Sequence, residues 1–210
     1  RQCLGLILPR RLSYNRAMQA DSFVIKARWV VTMQPEEAVL EQHAVIIAAG
    51  RISAIVPKHA IPDWAQDWPV IDCSAHALIP GLINLHCHAS MTLLRGYADD
   101  LALMPWLEAH IWPAEKRWVS PAFVYDGSLL ACAEMLSGGI TTVNDMYFYP
   151  QATIEATKRA GMRAHIGLTV LEFPTNYAAS AHDYIRLGTE VRDEYKHEAL
   201  ISFSFAPHAP

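Results

Sequence analysis

The chain has 210 residues, 52% hydrophobic and 18% charged, with a net charge of −4. That balance excludes intrinsic disorder, and the slight acidity leaves no basic face for nucleic acid. No apolar run reaches the ~18 residues of a membrane span, so neither membrane nor nucleic acid is an expected partner.

The opening stretch RQCLGLILPRRLSYNRA lacks an initiating Met. Its apolar core, Leu4 to Leu8, is shorter than the ~7–15 residues of a signal-peptide core. Met18 reads as a natural start, residues 1–17 as an upstream extension, and residues 1–20 as a segment without fixed order. The four cysteines, Cys3, Cys73, Cys87 and Cys132, form no CxxC. They fit free thiols in a reducing, cytoplasmic setting better than a disulfide framework.

From residue 21 to 79 the pattern is β. SFVIKARWVVTM is rich in β-branched and aromatic residues. AVIIAAGRISAIV is two such runs split by Ala-Gly-Arg, a hairpin signal. DWPVIDCSAHALIPG adds a further short strand. A small, mostly antiparallel sheet follows from this.

The texture changes near Gly81. LINLHCH reads as a short buried strand, and MPWLEAHIWPAEKRW and SPAFVYDGSLLACAEMLSGG as helices. Ser120 and Pro121 supply the N-cap and first position of the second helix, and Gly138-Gly139 its stop. ITTVNDMYFY is a strand. PQATIEATKRAG is a helix opened by Pro150 and closed by Gly161. MRAHIGLTVLEF is a strand. AASAHDYIRLGTEVRDEYKHEA is a helix with an apolar stripe of Tyr184, Leu187, Val191 and Tyr195. LISFSFAPHAP is a fourth strand. The alternation β-α-β-α-β-α-β, with near-continuous apolar strands, predicts a parallel sheet covered by helices.

His86 and His88 stand one residue apart at the end of the first of these strands. Strand alternation projects them to one side and Cys87 to the other. Two adjacent imidazoles can share one zinc ion at ~2.0–2.1 Å per nitrogen, but two strand-end histidines can also be purely structural. A second terminal histidine, His208, closes the fourth strand. Asp145 ends the second, where it can orient a histidine or cap the next turn.

PGLINLHCHASMTLLRGYADDLALMPWLEAHIWPAEKRW, GGITTVNDMYFYP and FAPHAP together resemble the amidohydrolase superfamily. Within it they most resemble the 5′-methylthioadenosine/S-adenosylhomocysteine deaminases, near the triazine-hydrolase-like branch. The likeness runs from about Ser22 to Pro210. It implies an α/β fold: residues 80–210 as the first four β/α units, the N-terminal half, of a (β/α)₈ TIM-type barrel, preceded by residues 21–79 as part of a small β-sandwich domain.

The resemblance implies one divalent metal, usually Zn²⁺, with His86 and His88 as two of its ligands. It places a third histidine and a catalytic Glu on a fifth strand, and a metal-binding Asp on an eighth. It implies that Glu115 binds ribose hydroxyls, that His208 bonds to the bound nucleoside, and that Trp106 packs along the substrate. The expected reaction is hydrolytic deamination of an adenine nucleoside, a small-molecule substrate, with the catalytic acid and base beyond Pro210. The isolated 210-residue chain is therefore expected to be inactive.

The fourth strand lacks the lysine that bridges two metals in many dinuclear relatives, which favours a single ion. Leu168 stands where some relatives carry an arginine that grips a carboxylate, so methylthioadenosine or adenosine is at least as plausible a substrate as S-adenosylhomocysteine. His110 reads as structural, and so do His43, His59, His76, His165, His182 and His197. The alternatives are a triazine- or guanine-type amidohydrolase of the same architecture, or a non-catalytic remnant that dimerises through open sheet edges. A homo-oligomer stays open in either case.

Overall fold

The computed structural model describes residues 21–33 and 38–208. The expectations for Met18, Cys3 and residues 1–20 lie outside the described residues. The chain divides into two compact units, residues 1–81 and 82–210. Among the described residues no helix is long and apolar enough to cross a membrane.

The first unit is a five-stranded sheet made of β1 (Phe23–Val31), β2 (Val39–Glu41), β3 (His43–Ala48), β4 (Arg51–Pro57) and β5 (Val70–Leu78). The pairings β1–β2, β1–β3 and β3–β4 are antiparallel; β5 joins β1 in parallel. Alternation sends Ile25, Ala27, Val45, Ile47, Ile71 and Cys73 into one apolar layer, and a register shift between Ala27 and Trp29 brings Val30 into it. Val24, Ala44 and Ile46 enter another, closed by Ala65 of the short helix α1 (Asp63–Gln66). The predicted hairpin turns at Ala49 and Gly50, both left-handed at φ 50° and 72°. Two consecutive left-handed residues match the twist of the flanking strands. Ser22 Oγ accepts from the Ala49 N–H at 3.1 Å and holds the turn.

The second unit is a four-stranded parallel sheet in sequential order: β6 (Leu82–Cys87), β7 (Ile140–Tyr147), β8 (Arg163–Val170) and β9 (Ile201–Pro207). The helices between them are α2 (Leu103–Trp106), α3 (Trp112–Trp118), α4 (Pro121–Ser137), α5 (Pro150–Ala160) and α6 (Ala181–Tyr195). Val143, Ala164, Ile166, Leu168 and Ile201 of the strands meet Cys132, Met135, Ile154 and Val191 of the helices in one buried core.

The boundaries follow local chemistry. Ser120 Oγ accepts from the Phe123 N–H at 3.3 Å, with Pro121 first in α4. Ser180 caps α6 in the same way, through the Asp183 N–H at 3.3 Å. Gly161 closes α5 at φ 68°, a backbone conformation that favours glycine. The stripe of α6 is as expected: Tyr184 and Val191 are buried, and Leu187 and Tyr195 pack against the core.

The segment MPWLEAHIWPAEKRW is not one regular helix. Leu107–Ile111 form a π turn between α2 and α3. Pro113 has no N–H to give to the carbonyl four residues back, and a widened turn absorbs that break. The strand of the paired histidines also stops one residue earlier than LINLHCH suggests. β6 ends at Cys87, and a 3₁₀ segment, Ala89–Leu94, follows His88 directly.

The other face of the parallel sheet carries half-buried or exposed polar groups: Asn144, His165, Ser202 and Ser204. His165 Nδ1 pairs with Ser202 Oγ at 2.8 Å and its Nε2 with Ser204 Oγ at 2.9 Å, a structural use of this histidine. Among the described residues β6 pairs only with β7 and β9 only with β8. Their outer edges are apolar: Leu85 is 73% exposed, Ile83 59% and Phe205 48%.

Candidate metal and substrate site

The register of β6 against β7 shifts between Asn84 and Cys87, just ahead of the paired histidines. Such irregularities re-aim side chains and leave backbone groups unpaired. The Asn144 side-chain amide fills one gap by donating to the Leu85 carbonyl at 3.0 Å. Asn84 Oδ1 accepts from the His86 N–H at 3.2 Å.

The result places the His86 and His88 rings edge to face, with centroids 5.1 Å apart. That separation suits one ion shared between two imidazole nitrogens. His88 Nδ1 lies 2.7 Å from the Met146 carbonyl. A carbonyl only accepts, so Nδ1 carries a proton and Nε2 is the ring nitrogen left for a ligand. Cys87 faces the other way, into the core, and burial pushes its thiol up to about 12. It is the direction of Cys87, into the core, that keeps its thiol away from the two imidazoles.

His208 follows β9, its N–H donating to the Val170 carbonyl at 3.2 Å. Its ring reaches His88 at 6.0 Å between centroids. Desolvation, then His88 and His86, hold it below the usual histidine range. The unfolded chain therefore takes up this proton first. The His208 contribution to stability is whole above pH ~6.5 and declines as pH falls through that value. Urea unfolding at pH 7.5 and 5.5, compared between the natural protein and H208Q, is expected to show a smaller acid loss in the variant. An equal loss in both would contradict this.

Asp145 is buried on the helix side of β7, with Oδ1 accepting the Ala89 N–H at 2.6 Å. It caps the turn that follows His88 rather than bonding to a histidine ring. Burial pushes it up to about 6, against the pull of the Ala89 N–H and His88. That same turn packs onto Gly127 of α4. A Cβ at Gly127 would lie 2.4 Å from the Ser90 carbonyl oxygen and 2.8 Å from the Ser90 Cα. Glycine is required here by close approach of two backbones, and Thr92 Oγ1 donates to the Gly127 carbonyl at 2.8 Å across the contact.

Glu115 sits in α3, half-buried. The Tyr147 hydroxyl donates to its Oε1 at 2.6 Å. Burial raises the carboxyl above its usual range, while the Tyr147 hydrogen bond and the nearby His88 work the other way. Asn176, in the loop after β8, donates to the carbonyls of Glu115, Lys116 and Val119 at 3.4, 3.0 and 3.1 Å, and so caps the end of α3. Trp106 is half-buried at the end of α2 and is not among the rings in contact with His86, His88 or His208.

Leu168 is 2% exposed and packs into the helix layer, 3.2 Å from where a Cβ on Gly188 would lie. Its identity bears on the core of β8 and α6; the neighbours that alternate to the other face are Gly167 and Thr169.

Three histidines thus gather at the carboxyl ends of β6 and β9, and the Tyr147 hydroxyl that holds Glu115 belongs to a ring 6.4 Å from that of His88. Among the described residues no group of three or more His, Cys, Asp or Glu side chains could by itself hold a metal. Sequence reading did not single out Tyr147 or Asn176. Tyr147 had one signal, its place two residues beyond Asp145 on the same strand face; nothing in PTNY marks Asn176.

Helices on one face of a parallel sheet define a β/α protein, and the candidate groups lie at the carboxyl ends of its strands, where this architecture places its ligands. The chain belongs to the amidohydrolase family, whose sequence profile matches residues 77–210. It is 46% identical over 187 residues to a 5-methylthioadenosine/S-adenosylhomocysteine deaminase of Saccharophagus degradans, covering 89% of this chain and 42% of that protein. It is 40% identical to a 5′-deoxyadenosine deaminase of Methanosarcina barkeri, with 89% and 42% covered. The crystal structure of an adenosine deaminase from Xanthomonas campestris with bound zinc superimposes with a TM-score of 0.82 at 42% identity, over 88% of this chain and 42% of that one. The chain therefore spans well under half the length of these relatives.

Proposed function

We propose that residues 80–210 supply the first four β/α units of an eight-stranded barrel, with residues 21–79 as part of a small β-sandwich. The whole would be a metal-dependent hydrolytic deaminase of adenine nucleosides. It would convert 5′-methylthioadenosine or S-adenosylhomocysteine to the inosine analogue and ammonia. The observation that carries this reading is the convergence of His86 and His88, with Nδ1 of His88 committed to a backbone carbonyl. The 46% identity to a deaminase of that name supports the substrate class. The bare apolar edges of β6 and β9 support the incomplete barrel, because exposed edges of that kind invite further pairing.

The donor set fits zinc: two adjacent imidazoles, one with its Nδ1 committed to a carbonyl, and the bare edge of β6 beside them for further ligands. His86 and His88 would hold the ion, and the remaining donors would come from strands five and eight. When bound, the metal supplies a water acidic enough to attack at neutral pH.

The residues of this chain would then bind and orient. Glu115 accepts hydrogen bonds from the vicinal ribose hydroxyls, a charged acceptor being the stronger kind. His208 bonds to the nucleoside. Trp106 flanks the substrate. Asp145 and Gly127 keep the turn after His88 in place.

The test uses a polypeptide that carries this chain with the remaining strands, loaded with zinc. Its substrates are 5′-methylthioadenosine, S-adenosylhomocysteine, guanine and a chlorotriazine. The ultraviolet change from adenine to hypoxanthine and release of ammonia are expected with the two adenine nucleosides. Turnover of guanine or the triazine alone would overturn the reading.

A further inference from the structure

We infer that Tyr147 is a positioning residue for Glu115: its hydroxyl fixes one carboxylate oxygen and presents the other to the ligand. The inference rests on the reading of Glu115 as the acceptor of the ribose hydroxyls.

Tyr147 is 6% exposed, at the carboxyl end of β7. A buried tyrosine needs a partner for its O–H, and the partner here is a carboxylate at 2.6 Å, a short charge-assisted bond. The ring borders the metal half of the site as well, 6.4 Å from the His88 ring between centroids. Asp145, two residues earlier, lies on the same strand face and holds the Ala89 N–H. One face of β7 therefore sets both the turn behind His88 and the direction of the Glu115 carboxylate. The spacing between metal and ribose contacts is fixed by a single strand.

Asn176 holds the backbone of α3 independently, through the Glu115, Lys116 and Val119 carbonyls. Losing the Tyr147 hydroxyl thus frees the carboxylate without releasing the helix. Burial pushes the Tyr147 hydroxyl well above its usual value, so it stays a donor throughout the working pH range. The Tyr147 hydroxyl takes one lone pair of Oε1 and fixes the carboxylate plane, which leaves Oε2 unencumbered for the diol. A ligand without vicinal hydroxyls gains nothing from this arrangement.

The experiment compares the natural enzyme, Y147F, E115Q and Y147F/E115Q, in the full barrel with zinc, on adenosine and 2′,3′-dideoxyadenosine. Phenylalanine keeps the buried ring. In Y147F the KM for adenosine is expected to rise about tenfold, with kcat within about twofold and dideoxyadenosine unaffected. The double variant should be no worse than E115Q, because the hydroxyl acts only through that carboxylate. Zinc content should be unchanged. If E115Q collapses discrimination between the two nucleosides and Y147F does not, the inference is overturned and the reading of Glu115 stands. If E115Q leaves discrimination intact, the reading of Glu115 fails and takes the inference with it. Equal losses on both nucleosides in Y147F would make Tyr147 a packing residue and overturn the inference alone.

Discussion

Replacing His88 by alanine in the complete, zinc-loaded barrel is expected to lower deamination ~1,000-fold or more and to abolish stoichiometric zinc, since even outer-shell partners of metal ligands cost 10–100-fold. The expectation rests on one hydrogen bond. Met146 can only accept from Nδ1, so the ring presents Nε2 towards the site without having to change tautomer. Among the described residues no hydrogen bond fixes a ring nitrogen of His86 or His208 in this way. The control is C87A. Cys87 lies between the two histidines in sequence but faces the core, with its thiol pushed up to about 12. That variant should lose stability and keep its zinc. Zinc analysis by mass spectrometry and kcat measured on both proteins check this. A C87A protein without zinc, or an H88A protein with it, would contradict the assignment.

The second large effect lies away from the ligands. G127A adds one methyl group to α4, at a point where a Cβ would lie 2.4 Å from the Ser90 carbonyl oxygen. Both neighbours are backbone, so no rotamer change relieves the clash. Overpacking of this kind costs ~1–3 kcal/mol, and the upper end is expected here. For a protein of this size that corresponds to a fall in Tm of about 6–12 °C. The strain also falls on the turn behind His88, whose Ala89 N–H is held by Asp145. Weaker zinc binding should therefore accompany the lower Tm. Differential scanning calorimetry of this chain measures the fall in Tm, and zinc analysis of the complete polypeptide carrying G127A measures the metal. An unchanged Tm would mean that the approach of α4 to Ser90 is looser than 2.4 Å implies.

Much of this architecture was legible residue by residue. Ser120-Pro121 and Gly161 act through their own backbones and hydrogen bonds, so their helix boundaries needed no tertiary context. The stripe of Tyr184, Leu187, Val191 and Tyr195 fixed the buried side of α6 for the same reason. Alternation placed the His86 and His88 rings together and Cys87 apart, even though β6 stops before His88.

What was not legible depends on distant partners. The π turn at Leu107–Ile111 reflects the missing N–H of Pro113, but whether that break kinks, ends or widens a helix is decided by packing. Tyr149 takes a left-handed conformation, φ 50°, just before Pro150. An aromatic residue stays there because its hydroxyl donates to the Asn176 carbonyl at 2.7 Å and its ring meets Tyr177. The Tyr147–Glu115 bond joins residues 32 apart in sequence, and the Asn176 cap spans about 60. Leu168 looked like a substrate-side position, and strand parity turns it towards α6.

Anomalous diffraction at the zinc edge, from crystals of the complete polypeptide, tests the metal site most directly. A single peak ~2.0–2.1 Å from a ring nitrogen of His86 and from His88 Nε2 is the predicted result. A peak elsewhere in the barrel, with either histidine outside bonding distance, would contradict it.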